Sequence, residues 1–167
     1  MTWLTEAEYQ RVRETVPIVC VDIVPLRVEA GAVKQVGLIL RDAPDQGRRW
    51  CLVGGRVWRN ETLAEAVTRH IQETMGPEIR FHLDPDAQPI YVAQYFPTRR
   101  PVGVIDLRQH SVAMNYCVRI GGEVATGGEA HEFRWFDVNR LPSPDEFGFE
   151  QDRILDECLR RYLPGAD

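Results

Sequence analysis

Three glutamates and an arginine recur at four-residue steps in one segment: Glu61, Glu65, Arg69 and Glu73. Wound into a helix at about 100° per residue, they share one face, while Leu63, Val67, Ile71 and Met75 share the other. Such a face has two uses. It can be a solvated surface laced by i, i+4 ion pairs worth roughly 0.2–0.5 kcal/mol each. It can also stack carboxylate oxygens for a hard divalent cation. The segment follows a strand ending in Gly54-Gly55, where a backbone without Cβ can turn closely past a ligand. A glycine turn leading into stacked carboxylates suits a cation with a diphosphate. A further carboxylate, Asp22, stands inside an apolar run. Burying it unpaired is costly, so it either serves a site or ends a hydrogen-bond network.

The elements that must position these groups are legible in outline. Thr5 and Glu8 have capping-box spacing, which predicts a helix over about 5–15 with Tyr9, Val12 and Val16 on one stripe, ended by Pro17. Residues 18–28 and 33–40 read as strands joined by a turn at Glu29-Ala30-Gly31, and 41–49 as a polar loop. A short strand at 50–53 leads to the glycines. The helix over 62–75 opens at Asn60 or Glu61 and stops at Gly76-Pro77. Strands follow over 89–96 and 111–120, separated by a polar connection holding Arg99 and Arg100, and another over 132–136. An amphipathic helix over about 150–162 carries Ile154, Leu155, Cys158, Leu159 and Tyr162 on one side. With no repeat or dividing linker, residues 1–167 read as a single domain. Its class is α/β, an α+β sandwich with a mixed central sheet flanked by helices.

The stretch GRVWRNETLAEAVTRHIQETMGP resembles a Nudix box, G-x5-E-x7-R-E-U-x-E-E-x-G-U, where U is bulky and apolar. Gly55, Glu61, Arg69, Ile71, Glu73 and Gly76 fall at its positions without a gap. His70 stands where the family has the carboxylate after its arginine, Thr74 replaces the second glutamate of the E-E pair, and Pro77 the last apolar residue. The resemblance implies the Nudix fold and hydrolysis of a nucleoside diphosphate linked to another moiety, with Mg2+ or Mn2+. It implies Gly55 and Glu73 as metal ligands, and Glu61, Arg69 and Gly76 as structural parts of the box. His70 is either a base or ligand, or a partly buried packing residue.

Beyond the box, the chain is similar to the GDP-mannose mannosyl hydrolase branch, which implies a nucleotide sugar as substrate. On that likeness Asp22 contributes to substrate binding and catalysis, and Arg41 contacts phosphate. Glu129 is a further metal ligand or base, and His131 lies one place beyond the branch's histidine base. Arg99 and Arg100 are added phosphate contacts on the rim, or ordinary surface charges. Trp58, in the glycine loop, could stack on a base or make a homodimer contact. The alternative function is a Nudix-fold nucleotide-binding or regulatory module without hydrolytic activity, for which the two lost glutamates argue.

Composition bounds these readings. Of 167 residues, 44% are hydrophobic and 27% charged, as in ordinary globular chains, which excludes a disordered or fibrous protein. Twenty basic against 25 acidic residues give a net charge of −5, which repels a nucleic-acid polymer. The N-terminus lacks a signal-peptide pattern, and the apolar run 16–26 is broken by Pro17, Asp22 and Pro25. The expectation is a cytoplasmic protein without membrane contact. Cys20, Cys51, Cys117 and Cys158 form no C-x-x-C pair and read as buried small hydrophobes.

Overall fold

A computed structural model describes residues 4–162. The first three residues, part of the stretch read for a signal, and the last five lie outside the described residues. In chain order the elements are α1 (Glu6–Thr15), β1 (Ile18–Glu29), β2 (Ala32–Ala43), β3 (Gly47–Cys51), β4 (Val53–Arg56) and α2 (Leu63–Met75). There follow β5 (Arg80–Phe81), β6 (Tyr91–Phe96), β7 (Val104–Ile105), β8 (Ser111–Gly121), β9 (Glu132–Asp137) and α3 (Gln151–Arg161). No described helix is long and apolar enough to cross a membrane.

β1 organises the sheet. It pairs with β8 in parallel from Ile18↔Ser111 to Leu26↔Arg119, with β2 antiparallel at its far end, and with β4 antiparallel over Cys20–Ile23. The strand order is β3-β2-β1-β8-β6-β7, with β9 on β2. The result is a mixed, curled sheet with three helices, the α+β class expected. A parallel-paired strand covered on both faces reads as a continuous apolar run. From Val21 to Leu26 every residue of β1 is buried, and Asp22 is the charged one among them. Val36, Leu38, Ile39 and Val53 join this core, and α2 covers it with Ala66, Val67, Ile71 and Met75. Leu63, placed on that face by periodicity, is half-buried.

Three local readings are corrected. Residues 41–49 are not one polar loop: β2 runs on to Ala43, a tight turn follows, and β3 starts at Gly47. Its polar residues conceal the strands because backbone pairing between the end of β2 and β3, from Arg41↔Arg49 to Ala43↔Gly47, holds both extended. Gly54 and Gly55 do not form the turn; they pair with Asp22 and Val21 inside β4. Glycine is needed there because a Cβ on Gly54 would lie 2.2 Å from the Val21 carbonyl oxygen, and one on Gly55 2.7 Å from His70 Cε1. Finally, α1 has no fully buried residue: Tyr9 and Val12 of its stripe are half-buried, and Val16 is exposed.

Candidate active site

α2 is held at its N-terminus by Thr62, whose Oγ1 accepts from Glu65 N at 3.2 Å while Glu65 Oε2 accepts from Thr62 N at 2.7 Å. Glu65 therefore caps the helix, and the cap is Thr62 rather than Asn60 or Glu61. Glu61 takes a two-pronged contact from Arg69, at 2.7 and 2.8 Å, and accepts from Trp58 N at 2.8 Å. The Arg69 fork holds Glu61 below the usual carboxylate pKa range. Arg69 also donates to the Arg56 carbonyl at 3.0 Å and covers the Trp58 ring at 3.7 Å. These contacts tie the loop after β4 to α2. Trp58 is half-buried beneath that guanidinium.

The carbonyls at the end of α2 are capped by the loop between β8 and β9. Ala125 N donates to the Met75 carbonyl at 2.8 Å and Gly127 N to that of Thr74 at 3.0 Å. Two residues later the same loop delivers Glu129 to an ion pair with Arg41.

A cleft of about 250 Å³ opens between α1, β1, β4 and the segments before β8 and β9. Asp22 lines it, 7% exposed. Its Oδ2 accepts from Tyr95 Oη at 2.6 Å, Tyr95 Oη accepts from Gln151 Nε2 at 2.9 Å, and Gln151 Oε1 accepts from Leu52 N at 2.9 Å. Burial lifts the Asp22 pKa to about 6, against the pull of Tyr95 and Arg41, and pushes Tyr95 well above a free phenol. Tyr95 thus remains a donor. Cys20 also borders the cleft, but burial lifts its thiol to about 12, too high for a thiolate nucleophile.

Four guanidinium groups face this space: Arg13, Arg41, Arg56 and Arg108. Arg108 grips the buried Asp106 with Nε–Oδ1 and Nη2–Oδ2 contacts of 2.8 Å each. Arg41 and Arg108 lie over Phe149, at 5.8 and 4.6 Å from the ring centre; Arg13 and Arg56 lie over Tyr9, at 5.0 and 4.3 Å. Phe149 holds its ring there with φ 58°, a left-handed conformation that costs a bulky residue roughly 1–2 kcal/mol.

Of the residues singled out in the sequence, Asp22, Arg41, Gly55 and Glu129 meet in this cleft. The others lie elsewhere. Glu73 borders a separate groove with Thr62, Glu65 and Arg69, its Oε2 3.3 Å from Arg69 Nη1. His70 packs beside Gly55 with Nε2 3.2 Å from the Arg56 carbonyl oxygen, and burial lowers its pKa. His131 pairs with Asp42 at 2.7 Å on the exposed side of β2. Arg99 pairs with Glu150, and Arg100 lies over Phe96 at 5.9 Å. Sequence reasoning missed Arg13, Arg56, Tyr95, Asp106, Arg108 and Gln151. The one local signal was Asp106-x-Arg108, whose side chains meet across a turn.

The residues present do not fit a divalent ion caged by carboxylates. Among the described residues no group of three or more His, Cys, Asp or Glu side chains is gathered to hold one. Of the carboxylates expected as ligands, Glu73, from the box, borders another groove and meets Arg69 at 3.3 Å, and Glu129, from the likeness beyond the box, is engaged by Arg41.

Comparison with known proteins agrees with this architecture. Residues 1–160 match the family described as Domain of unknown function (DUF4916). A Jonesia denitrificans structure, described as one of the possible asymmetric diadenosine tetraphosphate (Ap4A) hydrolases, is 35% identical with a TM-score of 0.79, over 88% of this chain and 95% of that one. The NUDIX domain of Shewanella oneidensis NrtR, solved with ADP ribose, shares the fold at 19% identity and a TM-score of 0.61, over 95% and 99% of the two chains. The ADP-ribose pyrophosphatase of Methanocaldococcus jannaschii is 31% identical over 112 residues, 66% of this chain; the match spans 57% of that relative's length. By its family match the chain belongs to the DUF4916 family, and its sheet and helices have the Nudix fold.

Proposed function

We propose that this cleft binds a nucleoside diphosphate linked to a second moiety and hydrolyses that linkage. The observation that carries the reading is Asp22, a carboxylate on the cleft wall opposite several arginines. With a pKa near 6 it is largely ionised at neutral pH yet basic enough to accept a proton. Tyr95 and Gln151 fix its orientation. In the proposed step Asp22 takes a proton from water as the water oxygen bonds to a phosphorus of the diphosphate or to the carbon of the second moiety, and the bond from that atom to the departing phosphate group breaks, which leaves a nucleoside monophosphate or diphosphate respectively. Arg41 and Arg108 face the charge that grows on that group, where preorganised donors act most strongly. ADP-ribose is the first substrate to test, by likeness to the Methanocaldococcus relative; Ap4A and a nucleotide sugar such as GDP-mannose belong to the same class. Nudix hydrolases typically use a divalent metal, and Mg2+ or Mn2+ supplied with the substrate would neutralise its diphosphate.

The deciding experiment follows these three compounds by mass spectrometry with the parent protein and Asp22→Asn. The parent should release a nucleoside mono- or diphosphate, and the variant should be slower by about 10²–10⁴. A parent that binds ADP-ribose and yields no product from any of them is instead the nucleotide-binding module. That second reading is favoured by one observation, the engagement of Glu73 by Arg69 at 3.3 Å outside the residues that line the cleft.

A further inference from the structure

The chain carries a net charge of −5, yet this cleft reverses the sign. Four arginines face three carboxylates in it: Asp22, Asp106 and Glu129. Each carboxylate already has a partner inside the protein: Tyr95 for Asp22, Arg108 for Asp106 and Arg41 for Glu129. Both Asp106 oxygens and one oxygen each of Asp22 and Glu129 are so engaged, and although Arg13 also meets Glu6 at 3.1 Å, the guanidinium groups outnumber the carboxylates of the cleft. The arginines are also set in place before any ligand arrives. Tyr9 carries Arg13 and Arg56, and Phe149 carries Arg41 and Arg108, all within about 6 Å of a ring centre, the range in which a cation is attracted to a ring face. Stacking occupies the flat face of a guanidinium and leaves N–H groups at its edge that can meet two oxygens of a phosphate. The Nε atoms of Arg13 and Arg41 are buried with no hydrogen-bond partner.

We infer that the diphosphate of the ligand is bound by this arginine set, clipped on two aromatic rings, and not through a metal held by the box. The inference rests on the cleft being the nucleotide site, but not on hydrolysis. It assigns Arg108 and Arg13 as phosphate contacts and reverses the role of Glu129. That carboxylate competes with the ligand for Arg41 instead of ligating a cation.

Calorimetric titration with ADP separates the two. In EDTA and in millimolar Mg2+ the intact protein should bind ADP with dissociation constants within about threefold of each other, because guanidinium contacts need no cation. Glu129→Gln should leave binding as tight or tighten it by about twofold to fivefold, the scale of releasing one partly exposed ion pair. Arg108→Lys, which keeps the charge but cannot hold both Asp106 oxygens and still reach a phosphate, should weaken binding about tenfold. Arg13→Gln on α1, a helix with no buried residue, should also weaken it without endangering the fold. ADP binding that requires Mg2+ and falls with Glu129→Gln overturns the inference and leaves hydrolysis standing, since turnover could then be metal-assisted. Absence of ADP binding in both buffers overturns it as well, and product formation from ADP-ribose then decides the hydrolase reading separately. Metal-independent ADP binding without turnover upholds the inference and removes the hydrolase.

Discussion

Asp22 answers to two opposed demands. As a proposed base it must be charged near neutrality, and as a buried member of β1 it is penalised for that charge. Its folded pKa, about 6, stands above the ordinary value of 3.8, so folding favours the protonated form. Well below pH 4 it is neutral in folded and unfolded chains alike and costs nothing; between about pH 4 and 6 the unfolded chain ionises while the folded one does not, so the penalty builds there and is complete above 6. The penalty at pH 8 is on the order of 3 kcal/mol, from a shift of about two units. Asp22→Asn should therefore melt several degrees above the parent at pH 8, and the gap should close near pH 4, as read by calorimetry at both values. Activity should run the other way: kcat/KM of the parent falls about tenfold per unit as pH drops below 6. The oddity of Asp22 was legible, since a carboxylate in a β-branched run announces itself. Tyr95 was not, because it is a strand aromatic 73 residues away and only the pairing of β6 with β8 brings it near. For the same reason Arg99 and Arg100 drew notice on a prominent loop, while Arg108, turned inward on Asp106, did not.

Element boundaries followed local chemistry closely where side chains act on their own backbone. The Thr5 and Thr62 capping boxes and the stop at Gly76 (φ 95°) are short-range devices, and α1 and α2 fall where they point. Where long-range pairing decides, as for the extended ends of β2 and β3, local polarity misled. The helix–loop anchor can be graded by mutation. Thr62→Ala should cost about 1 kcal/mol, as for a lost N-cap. Glu61→Ala strands a guanidinium whose side chain is only 15% exposed and should cost about 3 kcal/mol or more, both read from urea denaturation. Thr74 offers a sharper case. The box has a glutamate there, yet this residue is 7% exposed on the core side of α2. Thr74→Glu would bury a carboxylate without a partner, so it should lower the urea midpoint well below that of His70→Glu, whose side chain lies at the helix edge.

At the scale of the whole molecule, the Nudix architecture was readable because one uninterrupted box fixes a strand, a loop and a helix in order, and the rest of the sheet must accommodate them. The charge of the cleft was not readable from a total of −5, since its four arginines come from α1, β2, β4 and the segment before β8. That dispersal raises the ionic-strength sensitivity of any anion held there: ADP affinity should fall by several-fold between about 50 and 200 mM salt in titrations at fixed pH, as partly exposed charges are screened. The parallel ladder of β1 with β8 has a different consequence. Ile18 meets Ser111 across about ninety residues of intervening chain, and no hairpin can nucleate that contact. A growing polypeptide that ends before β8 has already made Asp22, Arg41 and the glycines of β4 but has no wall to set them in. Ligand capture is therefore the last property the chain acquires, and on dilution from urea ADP binding should return with the slowest fluorescence phase and not before it.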